Sequence, residues 1–174
     1  MMPRTPIGGL LLEDVEGWTF HVQPDGAIVG RFRGDSGILR IFVIPANRLQ
    51  NPVTHEQCLT IAQQLAEIAN ERAAGRQMMQ SISGPFGSAR FERGDDLVRI
   101  WYCNRAPGLV IGIYACSLES SRTYANRNIA RQCANTIGSA IFDRPSWGGD
   151  DELTRFLQKN VTYDDESSSV YFPP

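Results

Sequence analysis

The 174-residue sequence predicts an α+β domain whose sheet is largely antiparallel, with about six to seven strands packed against two main helices. Three observations lead to this fold class. Strand-like alternation comes in consecutive runs separated by glycine-containing turns, which is typical of hairpins. Two amphipathic segments with helical periodicity interrupt these runs. The hydrophobic fraction of 42% and the charged fraction of 21% are those of an ordinary globular protein.

The chain divides into three predicted parts. Residues 1–16 read as an irregular leader, residues 17–143 as the single α+β domain, and residues 144–174 as a C-terminal part. In the last part, an aspartate cap predicts a short helix from Leu153 to Gln158, followed by an acidic tail. The apolar end of that tail, Val170 to Phe172, favours docking onto the domain.

The first half of the domain predicts three strands and a helix. Trp18 to Val22 alternates in polarity, and Ala27 to Arg33 and Ile38 to Ile44 flank a turn rich in glycine. Thr54 and Gln57 have the spacing of a capping box and predict the start of the helix. Gly75 is suited to end it.

The second half predicts four strands and another helix. A short strand from Gln77 to Ser83 precedes a three-strand meander within Gly84 to Cys116, the segment richest in β-branched and aromatic residues. Ser120 or Ser121 is the expected cap of the second helix. The apolar stripe of that helix is predicted to contain Ile129, Cys133, Ile137 and Ile141.

The turn at Gly94 and Asp95 fits a two-residue hairpin, which fixes the register of its strands. That register places Arg90 opposite Arg99 on one face. The remaining predicted pairs are Phe91 with Val98, Ala89 with Ile100, Glu92 with Leu97, Ile113 with Ile100, Ile111 with Tyr102, Tyr114 with Arg99, and Gly112 with Trp101, where the glycine leaves room for the indole.

The earlier hairpin has an analogous predicted register around Gly34 to Gly37. In it Arg31 faces Arg40 on the side away from the core. The core side then holds the pairs Phe32 with Leu39, Gly30 with Ile41, and Ile28 with Val43. Both hairpins would therefore set an arginine against an arginine, which is unfavourable unless something neutralises the charges.

The neutralising groups could be internal or external. The internal candidates are Glu92, aspartates in loops, and carboxylates on a covering helix. The external candidate is an acidic partner, because arginine and aromatic residues are enriched at interface hot spots. A slip of one residue in register would reverse every side chain. The candidate binding residues are Arg31, Arg40, Arg90, Arg99, Trp101 and Tyr114.

Four features together resemble the Mog1/PsbP-like family over Gly17 to Asp143. They are the Gly17-Trp18-x-Phe20 opening strand, the helix after the third strand, the meander ending in Ile113-Tyr114-Ala115-Cys116-Ser117, and the closing helix. The resemblance implies an α/β/α sandwich around a central antiparallel sheet. It also implies non-enzymatic binding, since the family includes a nuclear-transport factor that engages a small GTPase, an extrinsic photosystem subunit and bacterial chaperones of secreted effectors.

Other features narrow the function class. The sequence contains neither a GxGxxG nor a GxxxxGK[ST] nucleotide motif, and no GxSxG nucleophile element. His21 and His55 are its two histidines, far apart and expected to be ordinary polar residues. The net charge of −2 argues against nucleic acid as a partner. We expect no cofactor, no bound metal and no membrane contact.

The four cysteines are dispersed among apolar residues and are expected to be buried free thiols, with a disulfide of a secreted protein as the alternative. The N-terminal apolar run is too short for a secretory core, which favours a cytoplasmic location. We therefore expect a non-enzymatic bacterial module that binds another protein, such as a chaperone or immunity-type partner of a secreted effector. The alternative is a small-molecule-binding protein or enzyme with a cleft near Trp101 and Arg99.

Overall fold

A computed structural model describes residues 2–35, 37–45, 53–70, 76–105, 108–143, 162–164 and 169–171. Its strands are β1 (Arg4–Ile7), β2 (Leu10–Glu13), β3 (Trp18–Val22), β4 (Ile28–Phe32), β5 (Ile38–Pro45), β6 (Arg76–Ser83), β7 (Phe86–Arg93), β8 (Asp96–Arg105), β9 (Gly108–Ser117), β10 (Ile141–Phe142), β11 (Thr162–Asp164) and β12 (Ser169–Tyr171). Its helices are α1 (His55–Asn70), α2 (Leu118–Ser121) and α3 (Tyr124–Ser139).

The fold is built on a seven-stranded antiparallel sheet in the order β3-β4-β5-β9-β8-β7-β6. This confirms the predicted α+β class and its strand number. Strands that follow each other in sequence pair within two groups, β3 to β5 and β6 to β9. The pairing of β5 with β9 joins the two groups at the centre of the sheet.

The two long helices cover opposite faces of this sheet. On α1, His55 is hydrogen-bonded to the hydroxyl of Tyr102, at 2.9 Å. On α3, Ile137 lies directly over Gly112, which pairs with Trp101. Because Trp101 and Tyr102 are successive residues of β8, their side chains point to opposite faces. We call these the α1 face and the α3 face, and together the layers form the expected sandwich.

The N-terminal residues are not irregular, and that prediction is wrong. Strands β1 and β2 form a hairpin, and β10 adds a third strand to it. Gly8 and Gly9 form the turn with φ angles of 54° and 87°, a region that glycine enters without steric cost. Leu10 and Leu12 are buried in the core, so the hairpin forms because it covers apolar surface.

The first helix begins as predicted. The amide of Gln57 donates to Thr54 Oγ1 at 3.1 Å, and the amide of Thr54 donates to Gln57 Oε1 at 2.9 Å, which completes the capping box. The predicted end at Gly75 lies outside the described residues. So does the predicted final helix from Leu153 to Gln158. In the tail, β11 and β12 pair as a hairpin, and β12 contacts α1.

The second helix begins differently from the prediction. The short helix α2 is capped by Ser117, and Thr123 caps α3 by accepting a hydrogen bond from the amide of Asn126. The stripe of Ile129, Cys133 and Ile137 is buried as expected. Ile141 does not continue it, because α3 ends at Ser139 and Ile141 belongs to β10 with 47% of its surface exposed.

Candidate functional site

The site is centred on Arg90 and Arg99, which lie opposite each other on β7 and β8. The predicted register of these strands is confirmed at every pair. The register of β8 with β9 is confirmed too, so Tyr114 pairs with Arg99 and Gly112 with Trp101. Arg90, Arg99, Trp101 and Tyr114 therefore share the α3 face.

Arg31 and Arg40 do not belong to this surface, and their predicted pairing is wrong. Arg31 pairs with Ile38, and Arg40 pairs with Val29, a shift of two residues from the predicted register. Arg40 also pairs with Ile113 of β9, whose side chain lies on the α1 face. Arg31 and Arg40 therefore point to the opposite side of the sheet from Arg90 and Arg99.

The shift arises in the loop between β4 and β5. The amide of Asp35 donates to the carbonyl of Phe32 at 3.1 Å, and Asp35 Oδ2 accepts from the amide of Gly37 at 3.0 Å. The same oxygen accepts a hydrogen bond from the hydroxyl of Tyr114 at 2.6 Å. These contacts hold Asp35 in a loop that is longer than the predicted turn. The last pair of the hairpin is therefore Arg31 with Ile38.

The two guanidinium groups of the site are not neutralised by an ion pair within the part of the chain that the structure describes. Nε of Arg90 and Nε of Arg99 are buried and have no hydrogen-bond partner among the described residues. Within the same residues neither arginine forms an ion pair, so Glu92, which shares their face two residues along β7, does not neutralise them. The covering helix α3 contains no Asp or Glu. Among the described residues, none of the internal candidates named from the sequence forms an ion pair with Arg90 or Arg99.

Electrostatics at the pair are correspondingly unfavourable. Both arginines are partly buried. Desolvation lowers the pKa of Arg99, and the positive charge of Arg90 lowers it further. To offset this desolvation and the repulsion between the two guanidinium groups, a negatively charged group would have to lie next to them. Each arginine carries five N–H donors and no acceptor, so the chemistry of the pair is that of a hydrogen-bond donor to anions.

Trp101 and Tyr114 form the buried surroundings of the site. Trp101 is 6% exposed and Tyr114 is fully buried. The Tyr114 hydroxyl donates to Asp35 and accepts from Nδ2 of Asn126 at 2.9 Å. Burial, together with the bond to Asp35, raises the pKa of this phenol, which stays neutral and rigidly placed. Neither ring offers a large free surface, contrary to the prediction of an aromatic contact face.

The room at Gly112 is used by a different side chain from the one expected. A Cβ placed there would lie 2.5 Å from Cγ1 and 2.6 Å from Cδ1 of Ile137. The glycine therefore lets α3 approach the sheet, whereas the sequence suggested that it accommodates the indole.

Sequence reasoning missed Asp35 and Asn126, the residues that fix Tyr114. Asp35 lies in the turn predicted around Gly34 to Gly37, and Asn126 lies near the start of the second helix, which begins at a different cap from the predicted one. The sequence does contain a signal for Asn126, because this polar residue follows the Thr123 cap by three positions and faces the sheet.

The remaining reactive side chains are ordinary. His21 is exposed, as expected, and its Nε2 lies 2.9 Å from Nε2 of Gln23. All four cysteines are free and buried, which confirms that prediction. Burial raises the pKa of Cys58 to about 12, so this thiol is unreactive at neutral pH. No group of three or more His, Cys, Asp or Glu able to hold a metal occurs within the part of the chain that the structure describes.

Comparison with known proteins supports the fold. No family model matches the sequence, and no curated protein matches it. Among solved structures, the chain is similar to the solution structure of cyanobacterial PsbP (CyanoP) from Synechocystis sp. PCC 6803, with a TM-score of 0.52 and 9% sequence identity. The match covers 78% of this chain and 88% of that chain. The molecule thus has a PsbP-like α+β fold. None of its described helices is long and apolar enough to span a membrane.

Proposed function

We propose that this chain is a non-enzymatic, cytoplasmic protein-binding module, and that Arg90 and Arg99 receive an acidic group of its partner. The observation that carries the proposal is the unsatisfied Nε atom on each of two adjacent arginines. Leaving a buried donor unpaired costs about 1–3 kcal/mol. Two such groups side by side are expected where a ligand supplies the missing acceptor.

A carboxylate fits this site better than a neutral ligand. Arginine binds carboxylates through two parallel N–H···O bonds, and such charge-assisted bonds are about twice as strong as neutral ones. Partial desolvation of Arg99 strengthens the attraction further, because less water screens it. An acidic side chain on a chaperoned or inhibited effector protein would supply this carboxylate. A chaperone or immunity-type role is therefore the first specific function to test.

The small-molecule alternative rests on the same arginines. A cleft against Trp101 receives little support, since that indole is almost fully buried. A small carboxylate could nevertheless pair with both guanidinium groups once their side chains turn outward and expose the Nε atoms, which are buried in the present arrangement. The two functions differ in which other residues contact the ligand, because a protein partner would also contact exposed residues of the helix that covers this face, such as Arg127 and Arg131.

The experiment is a pull-down from lysate of the source organism with tagged wild-type protein and the Arg90→Glu/Arg99→Glu variant. The chain provides a matched control in Arg31→Glu/Arg40→Glu, which makes the same charge change on the opposite face of the sheet. We expect the partner to be lost from the first variant and retained by the second. Circular dichroism and thermal melting should first show that both variants fold.

Two outcomes would contradict the proposal. Equal recovery of partners by all three proteins would remove the arginine pair from the interface. Loss of the partner from the control variant alone would move the interface to the α1 face. Binding of citrate by wild-type protein in calorimetry, with no protein recovered from the lysate, would instead favour the small-molecule alternative.

A further inference from the structure

A second surface lies at the far edge of the sheet, around β3. This strand ends the seven-stranded order, and within the described residues no strand pairs with its outer side. Beside it is a cavity of about 290 Å³ between β3 and the hairpin of β1 and β2. The cavity is lined in part by Ile7, Leu12, Asp14, Trp18 and Phe20.

The hydrogen-bonding pattern of β3 shows which backbone groups face outward. The carbonyl of Gly17 accepts from the amide of Arg33, and the amide of Gln23 donates to the carbonyl of Ala27, both at 2.8 Å. In an antiparallel pair, bonded and non-bonded residues alternate. The odd-numbered residues from 17 to 23 therefore bond to β4, and the N–H and C=O groups of Phe20 and Val22 point away from the sheet.

These outward groups are available for another strand. The amide of Trp18 is already used, since it donates to the carbonyl of Val15 at 3.2 Å. Phe20 and Val22 each retain one donor and one acceptor, enough for up to four bonds with an added strand. The side chain of Val22 is 48% exposed, so an apolar residue lies at this edge as well.

The cavity next to this edge has an aromatic wall. Trp18 and Phe20 are stacked, with ring centroids 5.7 Å apart and planes inclined by 12°. Their position is fixed from two sides. Trp18 Nε1 donates to Gln132 Oε1 at 2.9 Å, and Phe20 lies over Gly30, where a Cβ would come within 2.5 Å of its ring. Parallel aromatic rings of this kind attract a cation placed over their faces.

The same cavity contains a carboxylate with an unused oxygen. Asp14 is exposed, and its Oδ1 accepts from the hydroxyl of Thr5 at 2.6 Å. Its Oδ2 has no partner among the described residues. Glu13, also in the lining, is paired with Arg4 at 3.0 Å. The cavity therefore combines an aromatic wall, apolar sides and an uncompensated negative charge.

We propose that β3 and this cavity bind an extended peptide segment that carries a basic side chain. The peptide adds a strand to the outer side of β3 and pairs with Phe20 and Val22. A Lys or Arg on the same face as Phe20 is its cross-strand neighbour, and its long aliphatic stem lies along the aromatic wall. Its charged end meets Asp14. This surface is distinct from the arginine pair and has the opposite charge preference.

The backbone part of the proposal is tested on the free protein by amide hydrogen exchange followed by NMR. We expect the amides of Phe20 and Val22 to exchange at least tenfold faster than those of Thr19 and His21, which bond to β4. Protection of all four amides to the same degree would overturn the proposal, because the outer side of β3 would then already be paired.

The ligand part is tested by selecting a phage-displayed library of random 12-residue peptides on the wild-type protein. We expect enriched peptides with alternating apolar residues and at least one Lys or Arg. Their affinity should fall at least tenfold with Asp14→Asn, which removes the charge, and with Val22→Pro, which removes an outward N–H. Val22→Ala keeps that N–H and serves as the matched control. Thermal melting checks that each variant folds.

Several results would overturn the proposal. These are an absence of enriched peptides, enriched peptides without a basic residue, and binding that is unaffected by Val22→Pro. Dimerisation of the wild-type protein that is abolished by the same substitution would show that a second copy of the chain occupies this edge instead. The Arg90→Glu/Arg99→Glu variant should bind the peptides as the wild type does.

Discussion

Arg90 lies directly opposite Arg99 on neighbouring strands, and Nε of each is buried without an acceptor among the described residues. Like charges opposed across a sheet destabilise it. The helix that covers this face adds no carboxylate to compensate. The pair therefore costs stability in the isolated protein, and such a cost is typical of residues retained for binding.

Replacing Arg99 with Met should consequently stabilise the protein. Methionine keeps much of the aliphatic volume but removes the charge and the unpaired Nε. We expect Arg99→Met to raise the free energy of unfolding by about 0.5–1 kcal/mol in urea denaturation. Arg31→Met, at an exposed position paired with Ile38, should change it by less than about 0.5 kcal/mol. A marked loss of stability in Arg99→Met would reveal an internal acceptor.

The same pair should respond to added carboxylates. A ligand present at ten times its dissociation constant stabilises a folded protein by about 1.4 kcal/mol, which at this chain length shifts Tm by about 3–5 °C. We expect citrate to produce such a shift in the wild type relative to sodium chloride of equal ionic strength. The Arg90→Met/Arg99→Met protein should lack it. Equal shifts in both proteins would show that citrate acts elsewhere.

Local sequence patterns were sufficient for much of the fold. The capping box of Thr54 and Gln57 and the two-residue turn at Gly94 and Asp95 are interactions between near neighbours, and both were predicted correctly. The register at Arg90 followed from that turn, because a tight hairpin leaves few alternatives. The succession of the seven sheet strands along the chain and the presence of the two long helices followed from periodicity in the same way.

Contacts between distant residues account for the errors at the first hairpin of the sheet. The loop of the first hairpin is held by the bond from Tyr114 to Asp35, which are 79 residues apart. The pairing of β5 with β9 decides which side of the first hairpin joins the α3 face, and nothing local to Arg31 or Arg40 encodes it. Of the six predicted site residues, the α3 face therefore keeps one arginine pair and its two buried aromatic neighbours.

Tyr114 offers a test of the network beneath the site. Substitution by Phe removes the hydroxyl that donates to Asp35 and accepts from Asn126, so both groups lose a partner. We expect the free energy of unfolding to fall by about 2 kcal/mol. Tyr124→Phe is the control, since Tyr124 is 79% exposed. Equal stabilities of the two variants would mean that water replaces the Tyr114 hydroxyl without cost.

The buried cysteines predict a dependence of stability on alkaline pH. Cys58 ionises near its usual pKa of 9.0 in the unfolded chain, but burial raises the pKa to about 12 in the folded protein. The resulting stability is complete below about pH 9 and declines as pH rises towards 12, because only the unfolded state loses the proton. Urea denaturation at pH 7 to 10.5 should show this decline, and Cys58→Ala should weaken it.

Thiol reactivity gives an independent measure of the same burial. At pH 8 the native protein should react slowly with a thiol-specific reagent, whereas the denatured chain should release the signal of all four cysteines. Rapid labelling of one thiol in the native state would show that part of the core opens readily.

Gly112 should tolerate no side chain, because Ile137 of α3 occupies the space above it. A Cβ at 2.5 Å from Ile137 Cγ1 forces the helix or the side chain to move, and overpacking of this kind costs about 1–3 kcal/mol.

Gly138→Ala is the matched control, since its Cβ would meet Phe86 at an ordinary 3.6 Å and alanine favours a helix over glycine by about 1 kcal/mol. We expect Gly112→Ala to be destabilised and Gly138→Ala to be unchanged or stabilised. Adding Ile137→Val to Gly112→Ala removes the clashing Cδ1 methyl group, so a double-mutant cycle should give a favourable coupling of at least about 0.5 kcal/mol. Purely additive effects would mean that Gly112→Ala acts through the backbone of β9 rather than through its contact with α3.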